Sequence, residues 1–588
     1  MRQNKNFGIT LFIIGAMTVI AALILGPDRT PALSASLALH RAYRLIALYL
    51  GGFICLLGGF LTILHQERFQ RFSGWLKDSL RSEKGLFGMI LLAGVIVRST
   101  HLLFVGISSP YRYGGLFLEF ARQIFLNPYR FPDTIPFYTL GGIPFAYPPL
   151  PFYIEGILVY LLGFSAFAVV NLLPVVVAIL SLPLFYLLTR AAGLSRRIAL
   201  LAFAAFAIMP NAFIDQIEGA GLAEAFGTLA ILWFLIECFK ILQGASLPHS
   251  LRQFLLLGVS WAVCIVSSPG SAYASVLVFL GFSIVLLRDK SFRPSIGKLV
   301  LSGITAMVLS CPYWLTVIVN HGAGVFLGSF SSQQNSYLAD TIGNLLDFQI
   351  TTGPYVFLWN LAIFFGILIS ILEKRAFLLI TFLTFVLIPR EGRWLVAIPS
   401  ALLIGIAIDK IQKIPQDFLK IGKSRMKKLY AGVLVGLLVL LGPLTNMLVN
   451  PLSPEAVLPP GSIQAMDWVR FNTPPSVKVV VLSSSQVQEW LPQISQRTVI
   501  NQPFGAEWQP QEGALISKME DALKKCTDLD CTYRSGQEIL NGDSFILFSD
   551  RVRFESMEQH PGSKVQWIPL WENEGFIIGK LCRVASCL

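Results

Sequence analysis

The sequence predicts a polytopic α-helical membrane protein with a small α/β domain at its C-terminus, and three observations predict it. The chain is 54% hydrophobic and 14% charged, with a mean hydropathy of +0.64. That is too little charge for 588 residues to cover so much apolar surface in water. Apolar stretches of about 20 residues, the length that crosses a bilayer core, recur through the first three quarters of the chain. The last part, from residue 450 on, loses that pattern and alternates short strand-like and helix-like runs.

About thirteen spans are expected, at 7–26, 44–64, 85–106, 166–189, 198–212, 220–241, 253–268, 271–287, 299–317, 354–372, 376–389, 394–409 and 429–448. The first begins with basic residues like a leader peptide. Gly26-Pro27-Asp28 offers no small-x-small cleavage pattern, however, and a second span follows. Residues 1–66 therefore read as an N-terminal helical hairpin, 67–449 as the main membrane domain, and 450–588 as a soluble domain. The link 66–84 reads either as an amphipathic helix on the inner leaflet or as an ordinary basic loop.

Lys and Arg fall on alternate connections, about 25 in one set against roughly 8 in the other. The basic set includes Arg68–Lys84, Arg190–Arg197, Arg288–Lys298 and Lys410–Lys428, whereas the long connection 318–353 has none. Positive charge stays on the cytoplasmic side during insertion. The N-terminus is thus expected in the cytoplasm, with loops 107–165 and 318–353 and the C-terminal domain outside the cell membrane. Residues 148–163 are apolar enough to cross, but a crossing there would carry Arg190, Arg196, Arg197 and Lys410–Lys428 outward. Their Pro-Pro start and Glu155 suit a helix lying in the interface instead. The net charge of +12 sits on the inner loops, with no basic-aromatic groove, so nucleic acid is excluded as a partner and membrane lipid is expected.

Cys55, Cys238, Cys264 and Cys311 lie in or beside spans and read as small core residues. Cys526, Cys531, Cys582 and Cys587 all fall in the tail, where disulfides are favoured over a metal site and the pairing stays open. Strands are expected at Val477–Leu482, Ser544–Phe548 and Phe576–Ile578, and helices at Ser462–Phe471 and 510–525. The tail has no Gly-rich phosphate loop, G-x-S-x-G or metal-ligand array, so no catalytic centre of its own is expected there.

Ionisable residues near the outer membrane face are costly and point to function. The first external loop carries Tyr111-Arg112-Tyr113-Gly114-Gly115, then Glu119, Arg122, Arg130 and Asp133, and ends in Ile143-Pro-Phe-Ala-Tyr147-Pro-Pro-Leu150. Glu119 and Arg122 stand three apart, as an ion pair on an interfacial helix or as a general base with its neighbour. The second external turn places Asp215 and Glu218 three apart before Gly219-Ala220-Gly221, either as solvated acids or as a pocket wall with close backbone approach. Glu224 follows inside the next span, facing that pocket or pairing with buried Arg98 or His101. His321, Arg390 and Arg393 lie at outer ends of spans. Arginine there grips a lipid phosphate bidentately or anchors to headgroups.

In this order the residues resemble the GT-C membrane glycosyltransferases, in the broad group of protein O-mannosyltransferases and aminoarabinose transferases. The resemblance rests on the Gly-Gly-Leu-Phe helix, the Tyr-Pro-Pro-Leu segment, the non-crossing helix and the Pro-containing second turn. Cys311-Pro-Tyr-Trp314 leading to His321-Gly322, Ile388-Pro-Arg390, Trp468-x3-Asn472-Thr-Pro474 and Gly505-Ala-Glu507-Trp508 add to it. It implies an external active site that takes a sugar from a polyprenyl-phosphate-linked donor and passes it to a lipid, glycan or protein acceptor. On that basis Glu119, Asp215 and Glu218 are the catalytic candidates. Arg112, Arg122, Tyr147, His321, Arg390 and Arg393 are the substrate- or phosphate-binding ones.

The group usually has an Asp directly before the Gly-Gly, where this chain has Tyr113, and often a His-Pro-Glu where this chain has Ser268-Pro269-Gly270. A second reading follows, a non-catalytic GT-C-like scaffold that binds lipid-linked glycans in cell-envelope assembly. A transporter is disfavoured, because no inverted repeat or paired broken helices occur. Members of the group vary in metal use; no D-x-D pair occurs in the first two external loops, so no cofactor is assigned and a divalent metal has no motif behind it.

Overall fold

The computed structural model describes residues 82–126, 131–243, 250–288, 296–326, 357–388, 394–411, 457–459, 461–505, 508–540, 544–557 and 565–583. The expected hairpin 1–66, the link that follows it up to residue 81, residues 327–353 of the long external loop, the expected span 429–448, Cys55, Cys587, Arg130, Arg390 and Arg393 lie outside the described residues.

Helix α1 (Glu83–Ser99) starts at Ser82, whose hydroxyl accepts the Gly85 N–H at 3.0 Å. The first loop then folds into α2 (Gly115–Leu126), an antiparallel pair β1 (Thr134–Ile135) and β2 (Ile143–Pro144), and α3 (Leu150–Gly156). Helix α3 has seven residues and continues for five more as a π-helix to Leu161. This run rises about 18 Å, well short of a bilayer core of roughly 30 Å. One side of it, with Phe152 and Glu155, is buried, and Tyr153, Ile157, Tyr160 and Leu161 are exposed. That is the sidedness of a helix lying along an interface.

The helices α4 (Ala166–Ala191), α5 (Arg196–Ile208), α6 (Leu222–Gln243), α7 (Leu251–Ser267), α8 (Pro269–Arg288), α9 (Ile296–His321), α10 (Phe357–Leu372), α11 (Ala376–Leu387) and α12 (Ala397–Ile411) follow. Among the described residues four helical stretches are long and apolar enough to cross a membrane: Ala166–Ala191, Gly219–Gln243, Pro269–Arg288 and Ile296–His321. The expected spans 198–212 and 376–389 are shorter, at 13 and 12 residues. Met209, held extended before Pro210, ends α5 early (ψ 122).

Helix α4 packs along α6, α6 along α7 and α7 along α9, and α5 lies against α12, α4 and α1. The buried Arg98 of α1 donates to Ser181 Oγ at 3.0 Å, to the Phe206 carbonyl at 3.2 Å and to the Ala178 carbonyl, and it faces the Phe206 and Phe213 rings. Carbonyl dipoles and π-faces thus hold this charge. The pairing of Arg98 with Glu224 considered from the sequence gives way to these contacts.

The C-terminal part is a five-stranded sheet in the order β4-β3-β5-β7-β6, built from β3 (Lys478–Leu482), β4 (Thr498–Val499), β5 (Phe545–Asp550), β6 (Val565–Glu572) and β7 (Phe576–Arg583). Strands β4, β3 and β5 are parallel, and β7 runs antiparallel to β5 and β6. Because side chains alternate along a strand, Val479 and Val481 face one layer and Val480 and Leu482 the other. The first layer holds α13 (Ser462–Asn472) and α14 (Ser485–Ser495). The second holds α15 (Pro510–Lys525) and α16 (Leu529–Leu540). Leu118 of α2 and Val170 of α4 belong to the first layer's core, so the sheet unit shares a hydrophobic interior with the first loop.

Cys526 and Cys531 form a disulfide, and Cys582 is disulfide-bonded as well. Cys238, Cys264 and Cys311 are free thiols.

Candidate active site

Two backbone strips, 111–116 and 209–221, cross at a pair of glycines. A Cβ on Gly114 would sit 3.0 Å from the Gly219 Cα, and one on Gly219 would sit 2.7 Å from the Tyr113 carbonyl oxygen. That proximity lets the Ala220 N–H donate to the Tyr113 carbonyl at 3.0 Å. Gly221 folds the turn on itself, where a Cβ would overlap the Asp215 carbonyl. The Gly-x-Gly of the second turn is therefore a steric requirement.

The crossing forms one end of a cavity of about 330 Å³. Its acidic wall consists of Asp215 and Glu218 from the turn, Glu224 from the first turn of α6, and Glu489 from α14. Phe117, Phe120, Tyr147, Trp394, Phe504 and Trp508 supply aromatic faces. The Tyr147 and Trp508 rings meet edge-on at 5.8 Å. Among the described residues the buried Trp394 indole N–H has no hydrogen-bond partner, which leaves a donor for a bound oxygen. Among the described residues that line the cavity, none is a cation.

Arg112 reaches Glu218 at 3.3 Å. Its backbone is left-handed (φ 54), a strained conformation that side chains other than glycine adopt rarely. Burial pushes the Glu218 carboxyl up to about 7; the Arg112 guanidinium opposes this, and the Asp215 and Glu489 carboxylates reinforce it. A carboxyl in that range takes or gives a proton at neutral pH.

Of the sequence-derived candidates, Asp215, Glu218 and Tyr147 share this cavity, with Arg112 paired to it. Glu119 does not line it. It is fully buried on α2, ion-paired to Arg122 at 3.3 Å, and it accepts from Gln123 at 2.7 Å and Gln496 at 3.3 Å. Arg122 divides its donors between Glu119 and Gln496. His321 meets the Asp133 carbonyl at 2.8 Å, and Asn320 donates to the Asp133 carboxylate, so the end of α9 fastens the first loop.

Sequence reasoning missed Glu489, Trp394 and the aromatic side chains of α2. Phe117 and Phe120 stand at helical spacing and carried a detectable signal. Glu489 carried none. Among the described residues no three His, Cys, Asp or Glu side chains form a group able to hold a metal ion.

The sequence matches no family model and no curated protein; the likeness to known proteins lies in the structure. The oligosaccharyltransferase of Archaeoglobus fulgidus superposes over 80% of this chain and 69% of its own, with a TM-score of 0.56 at 13% identity. ArnT from Cupriavidus metallidurans, solved bound to undecaprenyl phosphate, superposes over 85% of this chain and 98% of its own, with a TM-score of 0.52 at 14% identity. The arabinofuranosyltransferase AftD from Mycobacteria covers 85% of this chain and 40% of its own, at 0.54 and 13%. The chain has the GT-C fold of these membrane glycosyltransferases.

Proposed function

We propose that the protein is a multi-pass glycosyltransferase of the cell membrane, with the cavity and the C-terminal unit on the outer face and the N-terminus in the cytoplasm. It takes a sugar from a polyprenyl-phosphate-linked donor and passes it to a lipid, glycan or protein acceptor. The observation that carries this reading is the convergence of Asp215, Glu218 and Glu224 on one aromatic-walled cavity in a GT-C fold. Aromatic faces stack against sugar rings, and the Trp394 N–H suits a sugar hydroxyl. The undecaprenyl phosphate bound by ArnT supports the carrier class.

In the reaction the acceptor oxygen or nitrogen attacks the anomeric carbon. The bond from that carbon to the phosphate oxygen breaks, and the carrier phosphate leaves with the electron pair. Glu218 takes the acceptor proton, as its position near neutral pH allows. Asp215 and Glu224 orient acceptor and sugar hydroxyls. The phosphate needs a cation; Arg393, next to Trp394 in the chain, and Arg390 are the candidates for it.

The test incubates membranes holding the protein with radiolabelled polyprenyl-phosphate sugars and follows label leaving the carrier. Wild type is expected to release it and Glu218→Gln to retain it. Binding of labelled lipid without release would replace this reading with the second one, a scaffold that holds lipid-linked glycans. The Tyr113 hydroxyl favours that alternative, since it stands where the group has a carboxylate and is bonded to Ser485 at 2.7 Å. Neither binding nor release would overturn both.

A further inference from the structure

Helix α2 begins at Gly115 after another glycine, so no side chain of its own caps the N–H groups that a helix leaves open at its start. The cap comes from more than 370 residues away. The Glu489 carboxylate accepts from the N–H groups of Gly114 (3.2 Å), Gly115 (3.0 Å) and Leu116 (2.7 Å). Two oxygens thus satisfy three donors at the positive end of a helix dipole. Glu489 is 2% exposed, and it lines the same cavity as Glu218.

Its neighbours on α14 clamp the same strip. The Trp490 indole donates to the Arg112 carbonyl at 2.8 Å, the Ser485 and Tyr113 hydroxyls meet at 2.7 Å, and the Tyr138 hydroxyl donates to the Glu489 carbonyl at 3.1 Å. A Cβ on Gly115 would lie 3.1 Å from the Trp490 Cα, so the two elements are in backbone contact. On its far side the strip leans on the 209–221 turn through the Tyr113 carbonyl and the Gly114–Gly219 crossing. The strip is a slab held between α14 and the turn that carries Glu218.

We propose that Glu489 is a positioning residue: a carboxylate lent by the C-terminal unit that caps α2, fixes the strip 111–116 and thereby sets Arg112 against Glu218. This rests on the reading of Glu218 as the proton acceptor. The C-terminal unit, whose sequence carries no catalytic motif, then completes the site through one side chain. Burial pushes the Glu489 carboxyl itself up to about 7 against the pull of the Leu116, Gly115 and Gly114 N–H groups, and its charge is the smallest of those that raise Glu218. Glu218 faces Arg112 on the strip, Asp215 on its own turn, Glu224 on α6 and Glu489 on α14, and Glu489 is the one contributed by a separate unit.

Hydrogen exchange on the full-length protein tests the positioning independently of catalysis. In Glu489→Gln the amides of Gly115 and Leu116 are expected to exchange roughly tenfold faster or more, since charge-assisted bonds are lost, while those of β3 and α13 hold. In a transfer assay the midpoint of the pH–rate profile moves to higher pH in this variant, because Arg112, released from its place, no longer holds the Glu218 carboxyl down, and that pull outweighs the raising charge that Glu489 takes away. Glu489→Asp keeps the charge but not the reach, so exchange at Leu116 stays fast and the midpoint stays displaced in the same direction. Unchanged exchange in both variants overturns the proposal. So does an unshifted profile, or acceleration spread evenly over the C-terminal unit in both. Local acceleration in a protein whose wild type transfers no sugar leaves the positioning standing and sinks the proposed function instead.

Discussion

Two arginine–carboxylate pairs bracket the first loop, and they differ in everything but their distance. Arg112–Glu218 and Arg122–Glu119 both measure 3.3 Å. The Glu119 carboxylate is completely buried and hydrogen-bonded by Arg122 and Gln123 within α2 and by Gln496 of the C-terminal unit, so its lone pairs are occupied on both sides of that junction. The Glu218 side chain keeps 14% of its surface open, faces a cavity, and has Asp215, Glu224 and Glu489 for company. Burial raises both carboxyls, but at Glu119 donors from three directions pull back, whereas at Glu218 one cation works against two further anions. A proton acceptor needs an open edge and a carboxyl poised near neutrality; a fully bonded carboxylate serves as a rivet.

The sharpest way to break this comparison is to neutralise each carboxylate in turn. Glu218→Gln is expected to lower sugar transfer by about 10²- to 10⁴-fold, the usual contribution of a general base. Glu119→Gln keeps its shape and most of its hydrogen bonds, and transfer is expected to stay within about tenfold of wild type. Label release from the carrier in membranes measures both. A loss in Glu119→Gln as deep as in Glu218→Gln, with the C-terminal unit still folded, would reverse the two assignments.

The arginines sharpen it by a smaller margin. Transfer should rise with pH through about 7 as Glu218 loses its proton. Arg112 favours the charged carboxylate, so Arg112→Gln raises the Glu218 pKa and moves the midpoint to higher pH by about one unit, costing most of the rate at pH 7. Arg122→Gln leaves the midpoint in place, because Arg122 has no part in setting it. A profile that moves with Arg122 and ignores Arg112 would place the titrating group on α2.

These two pairs also mark what the sequence could and could not disclose. Local features were readable. The turn after Pro210, with two acids before Gly-x-Gly, announced its crossing because a steric need is written in neighbouring residues. Helix 510–525 and strands β3, β5 and β7 showed their periodicity. The short run at 150–161 was readable from the charges it would have misplaced. Long-range features were not. Glu119 and Arg122 look the better catalytic pair at three-residue spacing, and nothing local shows that Gln496, nearly 380 positions on, covers them. Glu489 sits in Ser485–Ser495, an amphipathic helix with Pro492 inside it, with no motif to mark it. Strand β6 hid for another reason: it is an edge strand with mixed exposure, so its alternation is blurred. Tyr113 looked like a lost catalytic acid, and its hydroxyl instead joins the clamp from α14.

The smallest effect tests the rivet itself. Gln496 ends α14 with a left-handed backbone (φ 54), a conformation that costs a residue with a Cβ about 1–2 kcal/mol. Its amide nitrogen donates to Glu119 at 3.3 Å, and its amide oxygen accepts from Arg122. Gln496→Ala keeps the backbone cost and loses these bonds and the one its amide nitrogen donates to the Gln493 carbonyl, so stability is expected to fall by about 1–2 kcal/mol. Gln496→Gly loses the same bonds but relieves the left-handed residue, and about half of that loss should return. Neither change touches the cavity, so transfer should stay within about twofold of wild type at every pH. Thermal unfolding in detergent, read beside transfer, separates the outcomes. If Gln496→Gly were no more stable than Gln496→Ala, backbone strain would not be what the position spends. If either cut transfer severely while leaving unfolding unchanged, the Glu119 pair would belong to the site after all.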